Sequence, residues 1–222
     1  MDDLFLNMDC IEGMKQYPDK YFDLAIVDPV YGIEGYMLDQ QGKKVGSGKG
    51  LQKKYNSALW YQPKTGEDYF KELLRVSKNQ VIWGGNYFCN NLPPSQGWIV
   101  WDKCHCAERS FADGELAWTS FDRATRIFRY RWDGMIQEDM SDKEIRIHPT
   151  QKPIALYSWI LSRYAKKGDI ILDTHVGSAS SLIACYRGGF NYVGFEIDEN
   201  YYNKALERLE DEKKQVSIFD LI

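Results

Sequence analysis

Phe22 to Ile33, FDLAIVDPVYGI, is the stretch whose reading decides the fold. Its apolar run predicts a buried strand over Phe22 to Val27 that stops at Asp28-Pro29-Val30-Tyr31-Gly32, because Pro29 has no N–H for a central ladder. In an open α/β sheet the carboxyl ends of the strands are where ligands bind. The turn delivers a carboxylate, a proline carbonyl and an aromatic ring in close succession. That set suits an exocyclic amino group on a planar base: Asp28 and the Pro29 carbonyl accept its two N–H bonds while Tyr31 stacks on the ring. Such an amine is a poor nucleophile because its lone pair is delocalised into the ring. Two acceptors that draw it toward tetrahedral geometry free the pair, an interaction strongest in the transition state. A plain strand-ending turn uses the same residue types, so the turn alone does not decide between the two readings.

Before this strand, Leu4-Phe5-Leu6 predicts a short strand ending at Asn7-Met8-Asp9-Cys10, with a brief helix over Ile11 to Tyr17 that Asp9 can cap. After it, residues 34–61 show neither helical nor alternating periodicity. Gly42, Gly46, Gly48 and Gly50 are interleaved there with Lys43, Lys44, Lys49, Lys53 and Lys54. A flexible basic loop beside a ligand-binding turn is suited to phosphates, and a merely solvated loop is the bland alternative. Gly66 to Val76 predicts an amphipathic helix, and Gln80 to Trp83 and Trp98 to Trp101 predict strands with buried aromatics. Ala124 to Trp132 alternates, interleaving Arg123, Arg126, Arg129 and Arg131 with apolar residues; it can present arginines such as Arg126 to phosphates or simply form a charged edge strand. Ile154 to Tyr164 predicts a helix, Asp169 to Leu172 a strand, and Ala179 to Tyr186 a helix after the small-residue turn Asp173-Thr174-His175-Val176-Gly177-Ser178. Asn191 to Glu196 predicts a strand, with an acidic residue at its end suited to ribose hydroxyls. Asp198 caps a helix over Glu199 to Glu212, and Ser217 to Ile222 is a tail that can pair as a strand.

These motifs, taken together, resemble the β-class of DNA amino-methyltransferases, in which the catalytic motif precedes the cofactor motifs. Asp28-Pro29-Val30-Tyr31 is similar to the family's Asp-Pro-Pro-Tyr. His148-Pro149-Thr150-Gln151-Lys152-Pro153, Ile170-Ile171-Leu172-Asp173 and Val193-Gly194-Phe195-Glu196-Ile197-Asp198 follow in the family's order. The resemblance implies a Rossmann-like, S-adenosylmethionine-dependent methyltransferase fold: α/β, a mostly parallel sheet with an antiparallel edge and helices on both faces. It implies transfer of a methyl group to the N6 amine of a flipped-out adenine in double-stranded DNA, with Asp28, Pro29 and Tyr31 catalytic. Cofactor contacts are implied for Asp9, Cys10, Lys152, Asp173, His175, Gly177, Ser178, Ser180 and Glu196. Met8, Val30, Thr174, His175 and Ala179 depart from the family pattern. N4 of cytosine, RNA as substrate, and a non-catalytic nucleic-acid-binding relic stay open as alternatives. Dimerisation occurs in the family, and a homodimer and a cognate restriction nuclease are the protein partners it would bring.

Composition sets the frame. A chain of 222 residues predicts a single domain, with a catalytic half over about 1–132, a short target-recognition insert over about 132–147 and a cofactor half over about 148–222. A formal net charge of -4 excludes binding nucleic acid through bulk charge and leaves local basic patches. Five scattered cysteines predict reduced thiols in a cytoplasmic protein. No apolar run approaches the ~20 residues that span a bilayer, so no membrane partner is expected. Cys104-His105-Cys106 lacks a second ligand pair, so no metal is expected.

Overall fold

The computed structural model describes residues 3–32, 65–104, 112–133 and 136–219. The basic stretch with Lys43, Lys44, Lys49, Lys53 and Lys54, together with His105 and Cys106, lies outside the described residues. The chain opens with β1 (Leu4–Asn7), α1 (Cys10–Met14) and β2 (Phe22–Val27). After α2 (Glu67–Val76) and β3 (Ser77–Trp83) come β4 (Trp98–Asp102), β5 (Gly114–Thr119), β6 (Arg126–Arg129), β7 (Trp132–Asp133) and β8 (Ile136–Gln137). The C-terminal half is α3 (Ile154–Tyr164), β9 (Ile170–Asp173), α4 (Ser180–Gly188), β10 (Asn191–Glu196) and α5 (Glu199–Phe219).

Eight of the described strands form one sheet in the order β1-β10-β9-β2-β3-β5-β4-β6. The first five in that order run parallel, and β5 is antiparallel to both of its neighbours. The antiparallel strand therefore lies inside the sheet rather than at its rim, where β6 runs parallel to β4. β2 is central, and all but Asp23 of its residues are buried, as a strand covered by helices on both faces requires. One face packs against α3, α4 and α5 through Leu156, Ile160, Leu182, Ile183 and Leu209. The other packs against α1 and α2 through Met14, Phe70, Leu73 and Val76.

Local chemistry sets the helix ends. Asp198 Oδ1 accepts the Tyr201 N–H at 2.9 Å and caps α5 as expected. Gly189, at φ +68°, stops α4 in the left-handed conformation that glycine adopts without strain. The strand expected in the C-terminal tail is not formed by residues 217–219: α5 continues through them, because no Gly or Pro interrupts the sequence after Glu212. Glu144, in the segment expected as an insert, is stapled to the C-terminal helices. Glu144 pairs with Arg208 of α5 at 2.6 Å and accepts the first N–H of α3, from Ile154, at 2.8 Å.

Leu73 of α2 is fully buried against the sheet. Leu73→Ala should lower unfolding free energy by ~2–5 kcal/mol, the cost of a lost side chain plus its cavity, measured by urea denaturation.

Candidate active site

β2 ends where the sequence predicts, and Asp28 stands at its carboxyl end. Its carboxylate accepts a hydrogen bond from the Tyr31 hydroxyl and pairs with the Lys152 ammonium. Lys152 is 3 % exposed and lies over the Trp83 ring, 5.3 Å from its centroid. Glu115 of β5 approaches the same ammonium at 3.1 Å, and its other oxygen pairs with Lys103 at 2.6 Å. Burial by itself would raise the Glu115 carboxyl, but Lys152 and then Lys103 outweigh it and hold it down at about 2. Burial likewise opposes the charge on Lys152, yet the carboxylates of Asp28 and Glu115 more than offset it and raise its pKa.

Tyr31 is fixed by the loop after β3. Gly84 adopts φ +65°, and a Cβ there would sit 2.2 Å from the Tyr31 ring, so only glycine permits this approach. The following turn lays Tyr87 on Tyr31, with ring centroids 5.0 Å apart and planes 19° from parallel. Phe88 meets the Tyr31 ring edge-on at 6.0 Å.

Beside this turn, a cavity of about 220 Å³ opens at the ends of β1, β2, β9 and β10. Met8, Ile11, Phe195 and Ile197 give it apolar walls, while Asp9, Cys10, His175 and Glu196 supply polar groups. Asp9 also caps α1, accepting from Ile11 and Glu12 at 2.9 and 3.1 Å, so its two expected roles are compatible. Glu196 accepts from the Gly177 N–H at 2.8 Å and the Asp198 N–H at 2.9 Å; these two amides fix its carboxylate at the cavity wall. Burial pushes the Cys10 thiol up to about 12, helped by Asp9, so it is no thiolate at neutral pH. Burial holds His175 down at about 4, leaving a neutral ring. Thr174 explains its own departure from the family pattern: its hydroxyl bonds to Tyr69 at 2.6 Å and to His175 Nδ1 at 2.9 Å. Val30 lines the cavity, and its carbonyl accepts from both the amide and the hydroxyl of Thr65.

Five of the expected cofactor contacts, Lys152, Asp173, Gly177, Ser178 and Ser180, do not line this cavity, and Gly177 instead holds Glu196 through its amide. Lys152 is committed to Asp28 and Glu115, since a buried ammonium goes to the nearest carboxylates. Asp173 lies beneath the turn, accepting from the His175 N–H at 3.0 Å and from the Ser181 hydroxyl, and shapes the loop from below. Ser178 and Ser180 share a 3.1 Å hydroxyl contact and are held by Arg208, which donates to the Ser178 carbonyl and the Ser180 hydroxyl. Arg126 lies level with Ile99 at the start of β6, whereas Arg129, paired with Asp102, is at the end nearer the catalytic turn. Resemblance sets the segment Ala112-Asp113-Gly114-Glu115-Leu116 at the edge of the target-base pocket, but it names no partner for Glu115, and Gly84 and Tyr87 carry no expected role. The Gly84-Gly85 pair directly after a strand is the one signal that marked that loop.

The family model for N6/N4 DNA methylases matches residues 37–207. The chain belongs to this DNA methylase family. The match begins beyond Asp28, but similarity to the type II methyltransferase M.HinfI of Haemophilus influenzae covers 98% of this chain and 71% of that protein, at 24% identity. The crystal structure of the M1.HpyAVI–SAM complex shares the fold of this methylase, with a TM-score of 0.55 at 20% identity over 92% of this chain and 98% of that one. PvuII DNA methyltransferase, which is cytosine-N4-specific, superposes with a TM-score of 0.57 at 13% identity over 96% of this chain and 91% of that one.

Two outcomes follow for this methylase. Gly84→Ala should displace Tyr31 and lower turnover on the order of 10²-fold, as misplacement of a site group by about 1 Å does, read by steady-state methylation assay. Asp173 is held up at about 7, first by burial, against an ordinary value of 3.8. The folded chain thus keeps a proton that the unfolded chain has released, so stability from this group is full below about pH 4 and declines as pH rises toward 7. The stability difference between parent and Asp173→Asn, from urea unfolding at a series of pH values, should change in the parent's disfavour across that window.

Proposed function

We propose that this chain transfers the sulfonium methyl of S-adenosylmethionine to the N6 amine of a flipped-out adenine in double-stranded DNA. The observation that carries the reading is the Asp28 carboxylate at the end of β2, hydrogen-bonded to Tyr31 and paired with Lys152, one turn from a cavity that Val30 helps to line. The cavity's residues fit the cofactor: its apolar walls suit an adenine ring and Glu196 suits ribose hydroxyls, while Asp9 suits an amino group and the His175 ring adds a planar surface. When bound, S-adenosylmethionine supplies an electrophilic methyl carbon on a cationic sulfur.

The chain's own residues do the rest. Asp28 and the Pro29 carbonyl accept the two N–H bonds of the target amine, turning its lone pair out of the ring. Extrusion of a base from the duplex costs a few kcal/mol. An aromatic platform at Tyr31 returns ~1–3 kcal/mol, and the charge-assisted bonds to Asp28 offset more. His175 Nδ1 is engaged by the Thr174 hydroxyl, and Asp28 is the acceptor assigned to the amine. The lysines at 43, 44, 49, 53 and 54 are proposed to meet phosphates.

A second reading is N4 of cytosine, an exocyclic amine of the same kind, and the family model spans both. Aspartate at position 28 favours adenine by resemblance. No helix among the described residues is long and apolar enough to cross a membrane.

The test is transfer of labelled methyl to duplex DNA followed by nucleoside analysis. N6-methyladenine is expected, and label in N4-methylcytosine alone would replace adenine by the second reading. Asp28→Ala should lower turnover by on the order of 10² to 10³, the cost of one lost transition-state partner, with cofactor binding retained.

A further inference from the structure

The most unusual charges in the protein are the buried ones around Asp28. Lys103, Glu115, Lys152 and Asp28 form a row of alternating sign, leading from the Lys103 side chain, 17% exposed, to Lys152, 3% exposed. The elements that supply them are distant in sequence: Lys103 follows β4, Glu115 is on β5, Lys152 precedes α3 and Asp28 follows β2. Tyr31 faces Asp28 from its own turn, and Tyr157 of α3, Tyr69 of α2 and Asp173 of β9 lie within electrostatic reach of it.

The contacts within the row are unequal. Lys152 donates a hydrogen bond to Asp28, whereas Glu115 Oε2, 3.1 Å from the same nitrogen, has no aligned hydrogen bond among the described residues. Glu115 thus adds a second negative charge beside Lys152. With Lys103 the four charges sum to zero, but Lys103 pairs with Glu115 at the end of the row away from Asp28, so the three groups nearest the target amine carry one net negative charge. In the proposed reaction the target nitrogen becomes cationic as it gains the methyl group, before it sheds a proton to solvent. A negative trio at that nitrogen favours the transition state over the neutral ground state.

We propose that Lys152 and Glu115 are positioning residues for methyl transfer: Lys152 aims the Asp28 carboxylate, and Glu115 balances Lys152 so that the site stays net negative where the target amine gains positive charge. This rests on the reading of Asp28 as the amine's acceptor. Neither residue need touch the target base. Lys152→Met leaves two buried carboxylates side by side, which must share a proton. Turnover then gains a dependence on pH that the parent lacks. Glu115→Gln makes the trio neutral, so chemistry slows while binding is spared.

The experiment measures kcat, KM for duplex DNA and cofactor binding by calorimetry for the full chain and its Lys152→Met, Glu115→Gln and Asp28→Ala variants. The pH series runs from about 6 to about 9, where an unperturbed carboxylate does not titrate. Lys152→Met should lose about 10²-fold in kcat at neutral pH and recover part of it as pH rises. Glu115→Gln should lose about tenfold in kcat with a flat profile. Both should keep KM and cofactor affinity within about threefold. Should Lys152→Met fail to fold, the double variant Lys152→Met/Glu115→Gln, which orphans fewer buried charges, takes its place, with the same order of loss in kcat expected. Parental kcat in a folded variant of either residue, or a flat profile in Lys152→Met, overturns the proposal. Full turnover in Asp28→Ala is a different failure, since it removes the acceptor role on which the proposal rests.

Discussion

A carboxylate can stay charged inside a protein only if a cation is brought in with it. At the end of β2 that cation is Lys152, which lies 124 residues away in sequence and has almost no exposed surface. Desolvating either ion alone would cost several kcal/mol, so each is tolerable only because the other is there. The pairing fixes the path of the chain before α3, because Lys152 must be placed over Trp83 and beside Glu115. It also ties the turn after β2 to the start of α3 in the C-terminal half. The described polar network continues outward from there, through Gln151, Glu144 and Arg208 to the turn after β9.

The parts of this arrangement legible in sequence are those with a local signature. β2 and its stop at Pro29 were readable because five apolar residues and a proline leave few alternatives, and the helix cap at Asp198 is a short-range rule. The cavity wall at Glu196 was readable from its place at a strand's end. The partners of Asp28 were legible only as motifs: resemblance set Lys152 among the cofactor contacts and Glu115 at the edge of the target-base pocket, and no short-range rule pairs either with Asp28. Lys152, Ser178 and Ser180 sit in motifs with a ligand-binding reputation, and their polar atoms have partners within the protein that no local rule names. Tyr87 became visible only once Gly84 was seen to take a positive φ and turn the chain back over Tyr31.

The departures from the family pattern acquire physical content. Thr174 replaces a proline and uses its hydroxyl to hold Tyr69 and His175. Val30 replaces another, and its carbonyl is held twice by Thr65. Ala179 stands at φ +62°, a conformation that costs an alanine roughly 1–2 kcal/mol. Its methyl group is fully buried and its N–H donates to the Val176 carbonyl at 3.1 Å, so the surrounding packing holds it there. At Thr174 the substituted residue makes contacts that a proline could not, whereas the Val30 carbonyl is one that a proline would also supply.

The order of strands bears on how the chain is made. β2 lies between β3 and β9, so one of its edges is covered early in synthesis and the other waits until residues 171–172 have left the ribosome. For most of translation the nascent chain carries an apolar strand with an open edge, the feature that most readily recruits a foreign strand. A prematurely terminated chain would lack Lys152 as well as β9, leaving Asp28 without its cation and β2 without its cover. Chains that stop before residue 171 should therefore be insoluble and inert together, and chaperones should meet the nascent chain chiefly before β9 emerges.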